Sequence, residues 1–532
     1  MTQGRIRGLL VLVAAGGLLA LGVAVAGAGE RTAVKKPSTL TVAIGRGEPD
    51  ALDPTLARTF SGREVFLAIC EKLYDINAHL QIVPQLAAAL PQISKDKLTV
   101  TIRLRKGIKF NDGTPLNASA VKTTLDRDLT LAGSRRASEI SPVASVSTQG
   151  AYTVVIHLKA PYSPLVAQLA DRAGMIMSPT QLDKLGTKFA QSPVCVGPYR
   201  FKERVAQDHI TVTKSPYYYN KKNVHLQTIV FKIFNDPNAQ TQNLLSGGVD
   251  ASDSIQATDV AKVRKTSSLR IVTTPGIGYD AITINIGNKF GLRSGKPFQN
   301  VGTALAAHPG LREAFEDALD RTVLNKVVLN GTAHPFCFPI SPASPWIAAA
   351  KGLSCRTTRN LARAKQLVKR SGVSTPIQVK LSTPNDPISE RLAAAIQSEE
   401  RDAGFAVSID PLDFVTLLNR EDAGSFDVVS GVGWSGRVDP DGNIYEFVHT
   451  KGSINDSGLD DRRLDLILDN ARKATTTKAR ITLYHAALKI IRAERPIIVT
   501  DIPNNRVVVN KRVKGVTVFP DGLIRAEFAS FK

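Results

Sequence analysis

Residues 98–121 read LTVTIRLRKGIKFNDGTPLNASAV. From Leu98 to Arg105 apolar and polar residues alternate strictly, the period of a strand with one face on a core and one in water. Lys106-Gly107 forms a turn, Ile108-Lys109-Phe110 resumes the strand, and Asn111-Asp112-Gly113 turns again, so a hairpin-like unit is expected. Asn117 is placed to cap a helix running to about Leu129, with Ala118, Val121 and Leu125 on one face.

The same mixture of short strands and helices extends outward on both sides. Leu40–Ile44 is an apolar run stopped by Gly45, as in a buried strand, and Glu64–Tyr74 carries apolar residues at helical spacing. Val154–Leu158 and Thr228–Phe234 are further strands, the second ended by Asp236-Pro237. Beyond about Ile286 helices dominate. They are expected over Leu311–Val328, Asn360–Lys369, Ile388–Ala403, Asp461–Arg472 and Lys478–Ala493, with strands at Ile377–Leu381, from Phe405, and at Phe426–Val429. Val507–Val509 and Val516–Phe519 return to short strands. At 532 residues the chain is too long for one core. A mixed first lobe over 38–283, an α/β second lobe over 284–497 and a return of 498–532 to the first lobe are expected. The chain would then cross between lobes twice, near Ile282–Ile286 and Ile498–Ile502, an arrangement that permits a hinge.

Composition narrows the function. Lys plus Arg number 68 against 47 Asp plus Glu, a net charge of +21. The basic residues are spread along the chain without long runs, and aromatics are only 6%. A nucleic-acid platform needs clustered cations interleaved with aromatics, so no nucleic-acid partner is expected. Arg5 and Arg7 precede an apolar run from Leu9 to Val25, followed by small residues that fit a cleavage site near Ala28. Residues 1–28 therefore read as a secretory signal peptide, with an uncleaved anchor as the alternative. Cleavage would lower the net charge by two. Export makes disulfides chemically accessible to the four cysteines, which allow three pairings. Cys337 and Cys355 share one Pro-rich segment and form the local pair expected, which leaves Cys70 with Cys195; four buried thiols are the other possibility. There is no CxxC and the histidines are scattered, so no metal site is expected.

Five segments in order, behind that leader, resemble the extracellular solute-binding proteins of family 5, which serve ABC importers for peptides, nickel complexes and related solutes. They are the stretch 98–121, VCVGPYRF (194–201), LREAFEDALDRTVL (311–324), ARAKQLVKRSG (362–372) and FDVVSGVGWSGRVDPDG (426–442). The resemblance implies an α/β, two-lobe periplasmic binding protein fold of the cluster C type, with an extra subdomain inserted in the first lobe at about 60–195. It implies a periplasmic protein that encloses a peptide or related small solute and delivers it to an ABC permease in the inner membrane; a monomer is expected. A ligand-presenting, chelated-metal-binding or haem-binding role on the same fold is the alternative, and a secreted hydrolase is a further one. The residues give the hydrolase no support. GxSxG, HExxH and GK[ST] loops do not occur, and Asp439-Pro440-Asp441-Gly442 brings its Gly too early for a calcium loop. No catalytic residue and no cofactor is assigned.

The ligand loop is expected directly after the strand ending at Val429, because ligands of open α/β sheets bind beyond the carboxyl ends of strands. Trp434 offers a stackable face or core packing, and Gly433, Ser435 and Gly436 let backbone approach a ligand. In peptide-binding relatives this loop resembles GWTGD, whose Asp meets the ligand ammonium; Arg437 stands there, reversing the sign. The stretch similar to the relatives' carboxylate-binding loop is LSTPNDP (381–387), and it carries no Arg. Arg437 thus either meets an anionic or capped ligand or pairs with Asp439 or Asp441 to shape the loop. Phe60 and Tyr279 join Trp434, Gly436, Arg437 and Asp439 as expected ligand-site residues. Arg135, Arg136 and Arg172 are read as exposed charges or packed side chains.

Overall fold

The computed structural model describes residues 38–532; the leader expected at 1–28 lies outside them. Two large sheets organise the chain. The first has seven strands in the order Leu269–Pro275, Asn504–Asn510, Ala251–Ser252, Thr39–Ile44, Thr228–Ile233, His209–Lys214 and Tyr199–Val205. Thr39–Ile44 is central and pairs in parallel with 228–233, so its Leu40, Val42 and Ile44 are fully buried. These three share one face; Ala43, on the other face, is equally buried in a separate cluster, so the strand is covered on both sides there. The second sheet has six strands in the order His334–Pro335, Ile497–Ile502, Tyr279–Ile284, Val428–Trp434, Ile377–Pro384 and Phe405–Leu412. The helix Pro387–Ala403 links the last two as a parallel crossover, capped by Asp386 and stopped at Gly404 with positive φ.

The chain leaves the first sheet after Pro275 and enters the second at Tyr279; it leaves the second after Ile502 and rejoins the first at Asn504. The crossings expected at 282–286 and 498–502 are thereby corrected, together with the limits 283/284 and 497/498. Those apolar runs are central strands of the second sheet, and the breaks fall at the residues that interrupt strands, Gly276, Gly278 and Pro503. The two connections touch, since Gly276 N donates to Pro503 O at 3.2 Å.

A third, four-stranded sheet is inserted in the first lobe, in the order Gln92–Ile93, Thr99–Arg103, Thr153–Leu158, Val143–Thr148. Its core draws on residues from Leu73 to Val196. The helix Phe60–Ile69 packs instead into the core of the first sheet, so the insertion begins later than residue 60. The expected hairpin is also corrected. Thr99–Arg103 pairs with Thr153–Leu158, a long-range partner, while 108–116 closes on itself through Leu116 N to Ile108 O (2.9 Å) and Phe110 N to Thr114 O (2.8 Å). The helix after it runs Ala118–Thr130, with Asn117 Oδ1 accepting from Ala120 N. The single helix expected at 311–328 is two, Pro309–Ala318 and Arg321–Val328, because Asp320 stops one and caps the other. Both disulfides are Cys70–Cys195 and Cys337–Cys355.

Candidate functional site

A cavity of about 500 Å³ lies between the two lobes. The first lobe contributes the turn after strand 39–44 and the start of helix 60–69; the second contributes the ends of strands 279–284 and 428–434 and the helix Phe414–Ala423. Apolar walls come from Phe60, Phe414, Trp434 and Phe447. Among the described residues no histidine or cysteine lines the cavity.

Arg437 lines this cavity but pairs with neither Asp439 nor Asp441. Its Nε lies 2.6 Å from Asp171 Oδ2, on the inserted part of the first lobe. Its guanidinium covers the Trp434 ring at 4.4 Å, and Asn443 fixes the loop by accepting from Arg437 N (2.7 Å) and Trp434 Nε1 (3.1 Å). Asp439 does not line the cavity: it is buried in a two-pronged pair with Arg480, at 2.6 and 2.7 Å. Asp441 likewise takes Arg472. Gly436 does not line the cavity. It has φ +82°, and a Cβ there would stand 2.4 Å from the Ile277 carbonyl carbon, so it admits the first interlobe connection. Tyr279 borders the cavity yet is only 2% exposed, its hydroxyl donating to Asn443 O at 3.0 Å. Phe60 and Trp434 do line the cavity, Phe60 beneath the Arg46 guanidinium at 4.5 Å.

Seven arginines and eight carboxylates line the cavity, so its charge total selects nothing; the distribution does. Glu48 is engaged by Arg204 (2.7 Å), and Asp386 and Asp413 cap helices. Asp280 and Glu421 are raised by burial, Glu421 also by the charge of Asp456. Among the cavity's cations, Arg63, Arg136, Arg172 and Arg437 converge on one wall. Arg63 reaches Asp171 (2.8 Å) and Ser435 Oγ (2.6 Å), and Arg136 pairs with Glu139 (2.6 Å). Arg172, 1% exposed, donates to Ala57 O at 2.7 Å. Burial would raise the Asp171 carboxyl, but Arg437, Arg63 and Arg172 pull it well below the usual carboxylate range. Burial and the like charge of Arg63 lower Arg437 to about 10, against the opposing pull of Asp171. Burial, with Arg136 and Arg437, lowers Arg172 as well.

The family profile of the bacterial extracellular solute-binding proteins, family 5 (Middle), matches residues 81–455. The chain belongs to that family. Family 5 proteins are solute-binding components of ABC importers, and this chain is one of them. It is 26% identical over 517 residues to the glutathione-binding protein GsiB of Escherichia coli O6:K15:H31, covering 95% of this chain and 96% of that one. Two solved structures share the fold. One is the binding protein AgaA of A. tumefaciens R10 in complex with agropinic acid (TM-score 0.82, 24% identity, 93% of this chain and 99% of that one). The other is the oligopeptide-binding protein AppA of Bacillus subtilis in complex with a nonapeptide (TM-score 0.83, 21% identity, 94% and 100%).

In this family 5 chain the lobes are also joined across the cleft. Arg58 contacts Asp422 at 2.9 Å and Asp456 at 3.4 Å, Arg135 pairs with Asp422 and donates to Ser453 O at 2.8 Å, and Ser138 donates to Glu446. Arg135 and Arg136, read from sequence as surface or packed charges, stand at the cavity, as does Arg172. Arg63 and Asp171 went unnoticed. Arg63 lies one helical turn after Phe60, the only local signal for it, and Asp171 becomes visible only once the insertion folds over Arg437. No helix among the described residues is long and apolar enough to cross a membrane.

Proposed function

We propose that this protein is a monomeric periplasmic receptor that captures a peptide or related small solute between its lobes and hands it to an inner-membrane ABC permease. The enclosed cavity of about 500 Å³, walled by both lobes and spanned by ion pairs between them, carries the reading. That volume suits a ligand of a few residues. Ligand contacts on both lobes favour the closed arrangement, and only a closed, loaded form differs enough from the empty one for a permease to recognise. The glutathione named for GsiB and the agropinic acid bound by AgaA are small, carboxylate-bearing solutes, which supports the same class here.

Native mass spectrometry of protein purified without denaturation tests this. A discrete added mass that is lost on unfolding is expected, with small-angle scattering showing a more open molecule after its removal. Bare protein that no peptide or small organic acid stabilises against heat would overturn the proposal.

A further inference from the structure

Four guanidinium groups share one wall of the cavity with Glu139, and a second carboxylate, Asp171, pairs with two of them. Asp171 sits behind that wall and does not line the cavity; it holds Arg63 and Arg437 from the rear. The wall therefore carries an excess of two positive charges toward the cavity. Its hydrogen-bonding capacity is unfilled as well. Among the described residues Arg437 Nη2, Arg136 Nε and Arg172 Nε find no hydrogen-bond partner, although all three atoms are buried. Arg172 Nε lies 3.5 Å from Asp171 Oδ1, an ion-pair distance without hydrogen-bond geometry. Arg437 is 8% exposed and Arg172 1%, so neither deficit is met by bulk water. Unfilled donors on buried cations are costly, and an acceptor that fills them is bound strongly.

We infer that this guanidinium wall is the anchor for an oxyanion on the captured solute, so the solute class is a small carboxylate or phosphate ester. The inference rests on the solute-binding reading above and specifies its ligand. Planar guanidinium forks suit the two oxygens of a carboxylate or the three of a phosphate. Trp434 and Phe447, edge to face at 5.0 Å, stand beside the wall and give the rest of the ligand an apolar surface. The remaining cavity carboxylates do not compete for the wall. Glu48, Glu446 and Asp456 are paired with other arginines, Asp386 and Asp413 cap helices, and burial raises the pKa of Asp280 and Glu421.

The test uses the full mature protein and matched pairs of probes: glutathione and its diethyl ester, triglycine and its amide, glycerol 3-phosphate and glycerol. Binding is read by calorimetry and thermal shift. Only anionic members of the pairs are expected to bind. Preference between the first two pairs and the third separates carboxylate from phosphate as the source of the oxyanion. Ester, amide or neutral alcohol binding as tightly as its anionic partner overturns the inference and leaves solute capture intact. Binding by no probe, with no retained mass in the native spectrum, overturns the solute-binding reading itself. Arg437→Gln is expected to weaken the anion by about thirty-fold or more and to erase the preference for acid over ester. Arg437→Lys, which keeps the charge without the fork, should fall between. The exposed Arg463, paired with Asp461 far from the cavity, provides Arg463→Gln as a control with unchanged affinity. A merely structural Arg437 would lower stability and leave the acid-to-ester ratio where it was. Should Arg437→Gln fail to fold, the matched pairs on the wild-type protein still decide.

Discussion

Arg58 of the first lobe meets Asp422 of the second at 2.9 Å across the cleft. Asp422 is also the partner of Arg135 and lies 3.5 Å from Arg293, so one carboxylate gathers three arginines. Only lobes in the closed arrangement bring these groups together. Asp422→Asn removes the shared charge and leaves partly buried cations facing one another. Ligand affinity is expected to fall about ten-fold or more, with scattering showing an open molecule at ligand concentrations that close the wild type. An unchanged Kd and radius would show that closure does not depend on this latch.

The interlobe connection is packed backbone against backbone. A Cβ on Gly278 would stand 1.8 Å from Trp434 O, and one on Gly436 2.4 Å from Ile277 C with φ at +82°. Gly436→Ala combines a steric clash with a strained conformation and is expected to cost about 2 kcal/mol or more of stability. Gly310→Ala, where an added Cβ meets nothing within 4 Å, is the comparison. Chemical denaturation of the two variants measures the difference.

Stability should also depend on pH in an uncommon direction. Burial raises Asp128 to about 8, Glu71 to about 7 and Asp456 to about 6, in each case against opposing partners: Thr55 and nearby arginines, the Tyr218 and Tyr219 hydroxyls, and Arg58. Unfolded carboxyls titrate near 4, so the folded protein binds these protons more tightly. Their contribution is complete below pH 4 and is lost as pH rises from about 4 to each group's folded value, by about 6 for Asp456, 7 for Glu71 and 8 for Asp128. Asp171, Asp521 and Glu316 are held low by arginines and act oppositely, but only as pH falls below the ordinary carboxylate range. Thermal melts should therefore peak at mildly acidic pH and fall toward pH 8. Asp128→Asn should flatten that decline; an equal slope in the variant would show that Asp128 does not titrate there.

The two disulfides should differ in weight. Cys70–Cys195 closes a separation of 125 residues and Cys337–Cys355 one of 18. Chain entropy assigns about 5 kcal/mol to the first and about 3 kcal/mol to the second. Double Ala variants at each pair, compared by urea unfolding, should show the larger loss for the long loop. The reverse order would mean that native packing, not the unfolded chain, governs their effect.

Local chemistry made part of this molecule readable from sequence. Asn117, Asn360 with Gly372, and Gly404 mark helix ends through their own side-chain or φ requirements, and the helices stand where those residues put them. Alternation in Leu98–Arg105 identified a strand but not its partner, because pairing with Thr153–Leu158 is decided by burial over a long separation. The same limit applied at the ligand loop. GWSGR could be placed at the cleft by the strand before it, and Arg437 does line the cavity. Proximity in sequence favoured Asp439 and Asp441 as its partners, yet Arg480 and Arg472, on helices farther along, had already claimed them. Asp171 lies hundreds of residues away and reaches Arg437 only when one lobe faces the other.

The strand Asn504–Asn510 lies inside the first sheet, between Leu269–Pro275 and Ala251–Ser252. During synthesis that slot stays empty until residues 504–510 have been made, whereas residues 279–502 have all the strands of their own sheet beforehand. The portion translated first is thus the last to become complete. A ribosome-bound chain that has not yet reached Asn504 would hold an open seam in the sheet built from its amino-terminal half.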